Sequence, residues 1–146
     1  MTLKIGYAAG AFDLFHVGHL NILRRARENC DYLIAGVVSD EMLQRSKGIT
    51  PIIPLSERLD IVSSIAYVDQ AVAEDVPDKM EMWRRLQFTV FFKGDDWRGT
   101  EKGLLLERQF GDVGVAVEYF PYTNDTSSTA LRQALAAMVT LAQPVG

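Results

Sequence analysis

Cysteine is almost absent: Cys30 stands alone among 146 residues. This excludes an intramolecular disulfide framework and a cysteine-based zinc site. Excess positive charge is missing too, since 15 Lys and Arg stand against 19 Asp and Glu for a net charge of −4. A chain built to coat nucleic acid or an anionic membrane is therefore disfavoured, and any anion site must be local. No apolar run approaches the roughly 20 residues of a membrane span, which argues against membrane insertion. No basic, long apolar leader opens the sequence, and the expectation is a cytoplasmic protein. Internal repeats and low-complexity tracts are also lacking. With 48% hydrophobic and 23% charged residues, the composition is that of a folded globular chain.

Strand and helix patterns alternate along the chain. Residues 3–9 form a first strand ending at Gly10, and apolar residues at Val17, Leu20, Leu23, Ala26 and Cys30 mark an amphipathic helix. Tyr32 to Val38 is a continuous apolar run, as expected of a parallel strand covered on both faces. A short helix from Asp40 to Arg45 precedes an exposed, movable loop over Ser46 to Pro54, where one glycine and two prolines oppose helix. Ser56 is positioned to cap a helix reaching Ser64. Further strands are expected at 69–73, 89–93 and 115–120, with helices at 77–86 and 104–110, and a turn at Gly94 to Gly99. Thr126 or Ser127 caps a last helix to about Leu141. Parallel neighbours need crossover helices, so the pattern predicts a three-layer, Rossmann-like α/β fold around a five-stranded parallel sheet. One domain over 1–142 with a frayed tail at 143–146 is expected.

The segment Gly10-Ala11-Phe12-Asp13-Leu14-Phe15-His16-Val17-Gly18-His19 falls after the first strand and opens the first helix. Unpaired amides and a positive dipole end make such a place attractive to phosphate. His16 and His19, the chain's two histidines, lie three apart and share one helix face. Gly18 between them lets a phosphate approach the backbone. A capping or satisfied polar role explains one histidine near a helix start more readily than it explains two. Imidazoles at this spacing can also chelate a metal, but Asp13 alone does not complete a ligand set, and no protein-held metal is expected.

His16-Val17-Gly18-His19 resembles the HxGH signature of the cytidylyltransferase-like nucleotidyltransferase superfamily. The longer match FDLFHVGH, with Leu23-Arg24-Arg25-Ala26 following, is most similar to glycerol-3-phosphate cytidylyltransferases and their phosphocholine and phosphoethanolamine relatives. Asp31-Tyr32-Leu33, Ser39-Asp40-Glu41, Tyr67-Val68-Asp69 and Gly94-Asp95-Asp96-Trp97 have counterparts there in the same order, to about Arg132.

The resemblance implies transfer of CMP from CTP to a small phosphorylated alcohol, with release of pyrophosphate and Mg²⁺ carried by the triphosphate. A homodimer is implied as well. His16, His19 and Lys47 become the expected catalytic residues, the imidazoles acting as hydrogen-bond donors and not as nucleophiles. Nucleotide contacts are expected from Gly10, Ala11, Phe12, Gly18, Asp96, Trp97, Thr126, Ser127, Ser128, Thr129 and Arg132. Asp13, Lys47, Arg58 and Lys79 are the expected acceptor contacts.

Three positions depart from the glycerol-3-phosphate pattern: Ala11 replaces a threonine, Ala66 an arginine, and Tyr122 a phosphate-binding arginine. Ser127-Ser128-Thr129-Ala130-Leu131-Arg132 is instead similar to the SSTxxR segment of adenylyltransferases, which keeps transfer of AMP from ATP as the alternative. Amino-alcohol phosphates and phosphonates also remain open as acceptors.

Overall fold

The computed structural model describes residues 2–121 and 127–142. Among them, β1 (Ile5–Gly10), β2 (Tyr32–Val38), β3 (Gln70–Glu74), β4 (Val90–Gly94) and β5 (Ala116–Phe120) form one sheet. Its order is β3-β2-β1-β4-β5 and every pairing is parallel. The helices are α1 (Val17–Glu28), α2 (Asp40–Lys47), α3 (Leu55–Ser63), α4 (Lys79–Leu86), α5 (Glu101–Gly111) and α6 (Ser128–Ala142). A five-stranded parallel sheet flanked by helices is the architecture that the strand and helix alternation predicts.

The strands read as unbroken apolar runs because both faces are covered. On one face Ala8, Leu33, Ala35, Val37, Val90 and Phe92 pack with Leu23 and Ala26 of α1 and Val62 of α3. On the other, Tyr7, Ile34 and Phe91 pack with Met82 of α4 and Leu106 and Phe110 of α5. Successive residues thus belong to opposite cores, as the two-residue period of a strand requires. α6 lies largely outside both cores, and Leu135, Met138, Val139 and Leu141 are exposed.

Element ends differ from the sequence expectation where a side chain or the next fold element decides. α1 stops at Glu28, with the Asn29 amide turned to the Ala26 carbonyl, two residues short of Cys30. α2 continues through Ser46 and Lys47 and closes at Gly48, which adopts φ +64°. The expected loop is therefore shorter, and Lys47 sits on a helix end. α3 begins after Pro54, so Ser56 lies inside the helix and caps nothing. Asp78 caps α4 through the Met80 amide, and Thr100 caps α5 through the Gly103 amide, three residues earlier than periodicity suggests. Ser127 caps α6 by accepting the Ala130 N–H at 3.1 Å. Thr126 and residues 143–146 lie outside the described residues.

Gly36, in the central part of β2, is a place where only hydrogen fits: a Cβ there would overlap the hydroxyl of Tyr7. That hydroxyl is buried and donates to Glu74 Oε1 at 2.7 Å. Gly36→Ala is expected to lower stability by about 1–3 kcal/mol, the usual range for overpacking a filled core, read as a fall in the urea unfolding midpoint.

Candidate functional site

The sequence order of the strands reverses between β1 and β4, and ligands of open α/β sheets bind in the crevice beyond the carboxyl ends of such neighbours. A cavity of about 430 Å³ opens there. The β1 exit (Ala9 to Phe12), the β4 exit (Phe92 to Gly94), His19 of α1, Lys47 of α2, and Ser128, Thr129 and Arg132 of α6 line it. Its described lining includes three cationic side chains and no carboxylate, although the chain as a whole carries net charge −4.

The chain from Gly10 to His16 is held tightly. Phe12 (φ 52°) and Leu14 (φ 51°) occupy the left-handed region, which non-glycine residues adopt only when their surroundings enforce it. Phe12 is buried and its ring meets that of His19 edge-on at 5.6 Å. This turn delivers His16 as the cap of α1.

The first turn of α1 fixes both imidazoles. His16 Nδ1 accepts the Gly18 N–H at 3.0 Å, and His19 Nδ1 accepts the His16 N–H at 3.2 Å. A ring nitrogen that accepts a hydrogen bond carries no proton, so each neutral ring holds its proton on Nε2. The rings stack with centroids 4.0 Å apart. Their Nε2 atoms converge on Ser128 Oγ at 3.3 and 3.4 Å, and that hydroxyl donates to the Asp13 carbonyl at 2.8 Å. With its proton so directed, Ser128 Oγ is left to accept from both Nε2–H groups. The His19 pKa is pushed down to about 4, chiefly by burial and secondarily by His16 and Arg132, with Asp13 acting in the opposite sense.

Asp13 and Arg58 face inward. Asp13 is 1% exposed. Its Oδ1 accepts the Ile53 N–H at 2.9 Å, and its Oδ2 accepts the Ile52 N–H at 2.9 Å and Arg132 Nη1 at 3.2 Å. Arg58 is fully buried. It donates to the carbonyls of Ile53, Ala11 and Val38, each at 2.7 Å, and pairs with Asp40. These two side chains tie the ends of β1 and β2 to the loop before α3. As placed, neither presents a polar atom to an acceptor, in contrast to the contact expected from the resemblance. Amphipathic periodicity puts an arginine at this position of α3 but does not show which way its guanidinium turns.

The other expected residues are divided between this mouth and a neighbouring cleft. Gly18 is buried, and its amide serves His16. Lys47 is exposed and lines the cavity. Asp96 and Trp97 occupy a single 3-10 turn at Asp95–Trp97, outside the cavity lining. Trp97 packs with the α4–α5 core, and with Lys79 it lines a shallower cleft of about 180 Å³. Lys79 is paired with the buried Glu74. Lys93, at the end of β4, was missed by motif reading: its signal in the sequence is a lone cation closing the apolar run TVFFK. Among the described residues, no cluster of three or more His, Cys, Asp and Glu could hold a metal ion, and no helix is long and apolar enough to cross a membrane.

The model of the family described as cytidylyltransferase-like matches residues 7–134. The chain belongs to this family. Membership supports enzymatic activity of the nucleotidyltransferase type. Among its relatives in the cytidylyltransferase-like family, a protein named bifunctional protein HldE from Acidiphilium cryptum is 35% identical over 131 residues, covering 88% of this chain and 27% of that protein. An ethanolamine-phosphate cytidylyltransferase from Arabidopsis thaliana is 39% identical over 97 residues, covering 62% of this chain and 22% of that one. The chain thus spans about a quarter of the length of these curated relatives. The crystal structure of a lipopolysaccharide core biosynthesis protein from Thermoplasma volcanium superposes with a TM-score of 0.71 at 24% identity. The match covers 86% of this chain and all of that one, a likeness of fold.

Two outcomes follow from this geometry. Replacing Arg58 by Met removes the hydrogen-bond partner of three part-buried carbonyls and is expected to cost roughly 3–5 kcal/mol, measured by denaturant unfolding. For His19, the folded value near 4 lies below the ordinary 6.5, so between these pH values the unfolded chain binds the proton first. Stability contributed by neutral His19 is present above pH 6.5 and is lost as pH falls toward 4. The wild-type urea midpoint should drop more steeply over that window than that of His19→Gln.

Proposed function

We propose that the protein transfers CMP from CTP to a small phosphorylated alcohol, glycerol-3-phosphate or a similar compound, releasing pyrophosphate and a CDP-linked product. The observation that carries this reading is the convergence of two imidazole Nε2 atoms on Ser128 Oγ at the topological switch point, beside a cavity lined by His19, Ser128 and Arg132 whose described lining holds no carboxylate. Family membership and the name of the Arabidopsis relative agree with cytidylyl transfer to a phosphorylated alcohol.

The acceptor's phosphate has a second pKa near 6 and is largely dianionic at neutral pH, so its oxygen attacks without a strong base. A new bond forms from that oxygen to the α-phosphorus while the bridging oxygen to the β-phosphorus departs with pyrophosphate, in line and without a covalent enzyme intermediate. The task of the protein is alignment and neutralisation of negative charge. With their tautomer already set by the backbone, His16 and His19 turn their Nε2–H groups from Ser128 Oγ to the phosphate oxygens. The α6 amides, Ser128 and Arg132 take the β- and γ-phosphates. Lys47 covers the site from the end of α2.

The fit to Mg²⁺ is through the nucleotide: the described cavity lining offers cations and hydroxyls but no carboxylate. The ion would be held mainly by the triphosphate, where it neutralises charge. From the resemblance we also expect a homodimer, testable by sedimentation.

One feature favours ATP as the nucleotide. Asp96 and Trp97, which the cytidylyltransferase resemblance puts beside the pyrimidine, lie outside the cavity lining, whereas Arg132 of the SSTxxR-like segment lies within it.

Pyrophosphate release measured with each of the four nucleoside triphosphates against a panel of phospho-alcohols, amino-alcohol phosphates and phosphonates decides the matter. CTP is expected to be the most active; turnover with ATP alone would overturn the choice of base. With the productive pair, His16→Ala is expected to lower kcat by roughly 10²–10³, the scale for one well-placed donor. Arg132→Ala should raise the nucleotide KM about tenfold, consistent with loss of a charged hydrogen bond. Unchanged nucleotide affinity and turnover would remove Arg132 from the site.

A further inference from the structure

We infer that Lys93 receives the phosphate group of the acceptor, an alkyl phosphomonoester dianion, on the side of the sheet opposite the histidine pair; this rests on the transfer reaction proposed above. Along β4, Val90 and Phe92 point into the core shared with α1 and α3, and Phe91 points into the core shared with α4 and α5. Alternation then sends Lys93 to the α4–α5 side. Its ammonium lies 4.3 Å from the centroid of the Trp97 ring, which belongs to that side. Even so, Lys93 and His19 line the same cavity, Lys93 having come up from one face and His19 from the other.

Nucleophile and leaving group stand on opposite sides of the phosphorus in an in-line displacement. The histidines, Ser128 and Arg132 are gathered on the α1–α6 side, where the departing diphosphate is held in the proposed reaction. An acceptor approaching along the opposite line meets Lys93. The neighbouring cations are differently employed: Lys79 is paired with Glu74, and Lys47 is exposed on the end of α2. Lys93 is only partly exposed, and among the described residues its ammonium has no carboxylate within 4 Å.

Burial pushes the Lys93 pKa down, as do the Lys79 and Lys47 ammoniums, with Asp96 and Glu74 acting in the opposite sense. A dianion bound at Lys93 relieves this crowding of positive charge.

The test compares wild type, Lys93→Met and Lys93→Arg in steady-state kinetics with each substrate varied, alongside calorimetric titration with glycerol-3-phosphate and inorganic phosphate. Lys93→Met is expected to raise the acceptor KM about 10–100-fold, the range for a lost charge-assisted hydrogen bond. The nucleotide KM should move less than about twofold, and Lys93→Arg should restore most of the acceptor affinity. Lys93→Gln serves in place of Lys93→Met should the latter fail to fold. An unchanged acceptor KM, or an equal rise in both KM values, would overturn the assignment while leaving the transfer reaction standing. Should wild type turn over no substrate pair, the transfer reading fails and calorimetry alone decides Lys93. Weaker phosphate binding in the variant then keeps Lys93 as the ligand of a phosphate group, without its acceptor role, and equal or undetectable binding in both proteins overturns that as well.

Discussion

The site depends on two hydrogen bonds between backbone amides and imidazole nitrogens at the start of α1. A helix begins with amides that have no partner within the helix. Here two amides, those of His16 and Gly18, are satisfied by the Nδ1 atoms of the two histidines. The local requirement to cap a helix therefore orients both rings and fixes which nitrogen bears the proton. Both Nε2–H groups face the same point because the rings are stacked. The depressed His19 pKa agrees with this arrangement, since protonation at Nδ1 would break the bond to the His16 amide.

Charge is partitioned with similar economy. Acidic side chains outnumber basic ones, yet near the site Asp13 and Glu74 are buried and turned to internal donors. Arg58 is likewise spent on carbonyl groups and Asp40. Lys47 and Lys93 are left along the cavity, together with Arg132, which shares Asp13 with the Ile52 amide. The result is a positive crevice in an acidic protein, created by the direction in which each ionic side chain points and not by its abundance.

Local patterning accounts well for the layers. The run from Tyr32 to Val38 is apolar throughout because helices cover both faces, and its predicted limits coincide with β2. Adjacency in sequence likewise made the histidine pair visible as a unit. Arg58 was less legible, because its carbonyl partner Ala11 lies 47 positions away and the inward turn of its guanidinium leaves no periodic trace. Lys93 was hidden for a related reason: a cation closing a strand looks like a solvent-facing end until the alternation of β4 and the position of Trp97 are known. The turn at Trp97 misled in the other direction, since four residues that match a family motif do not reveal which cleft the indole faces.

Oxygen Oδ2 of Asp13 is shared by the Ile52 amide and by Arg132, groups separated by 80 residues of chain. A single acceptor thus joins the loop before α3 to the final helix. A ligand that drew the arginine outward would leave the loop amide as sole claimant of that oxygen, firming one anchor as the other loosened. Motion at the far end of the polypeptide would thereby be felt in its middle through one atom, without any rearrangement of the sheet between them.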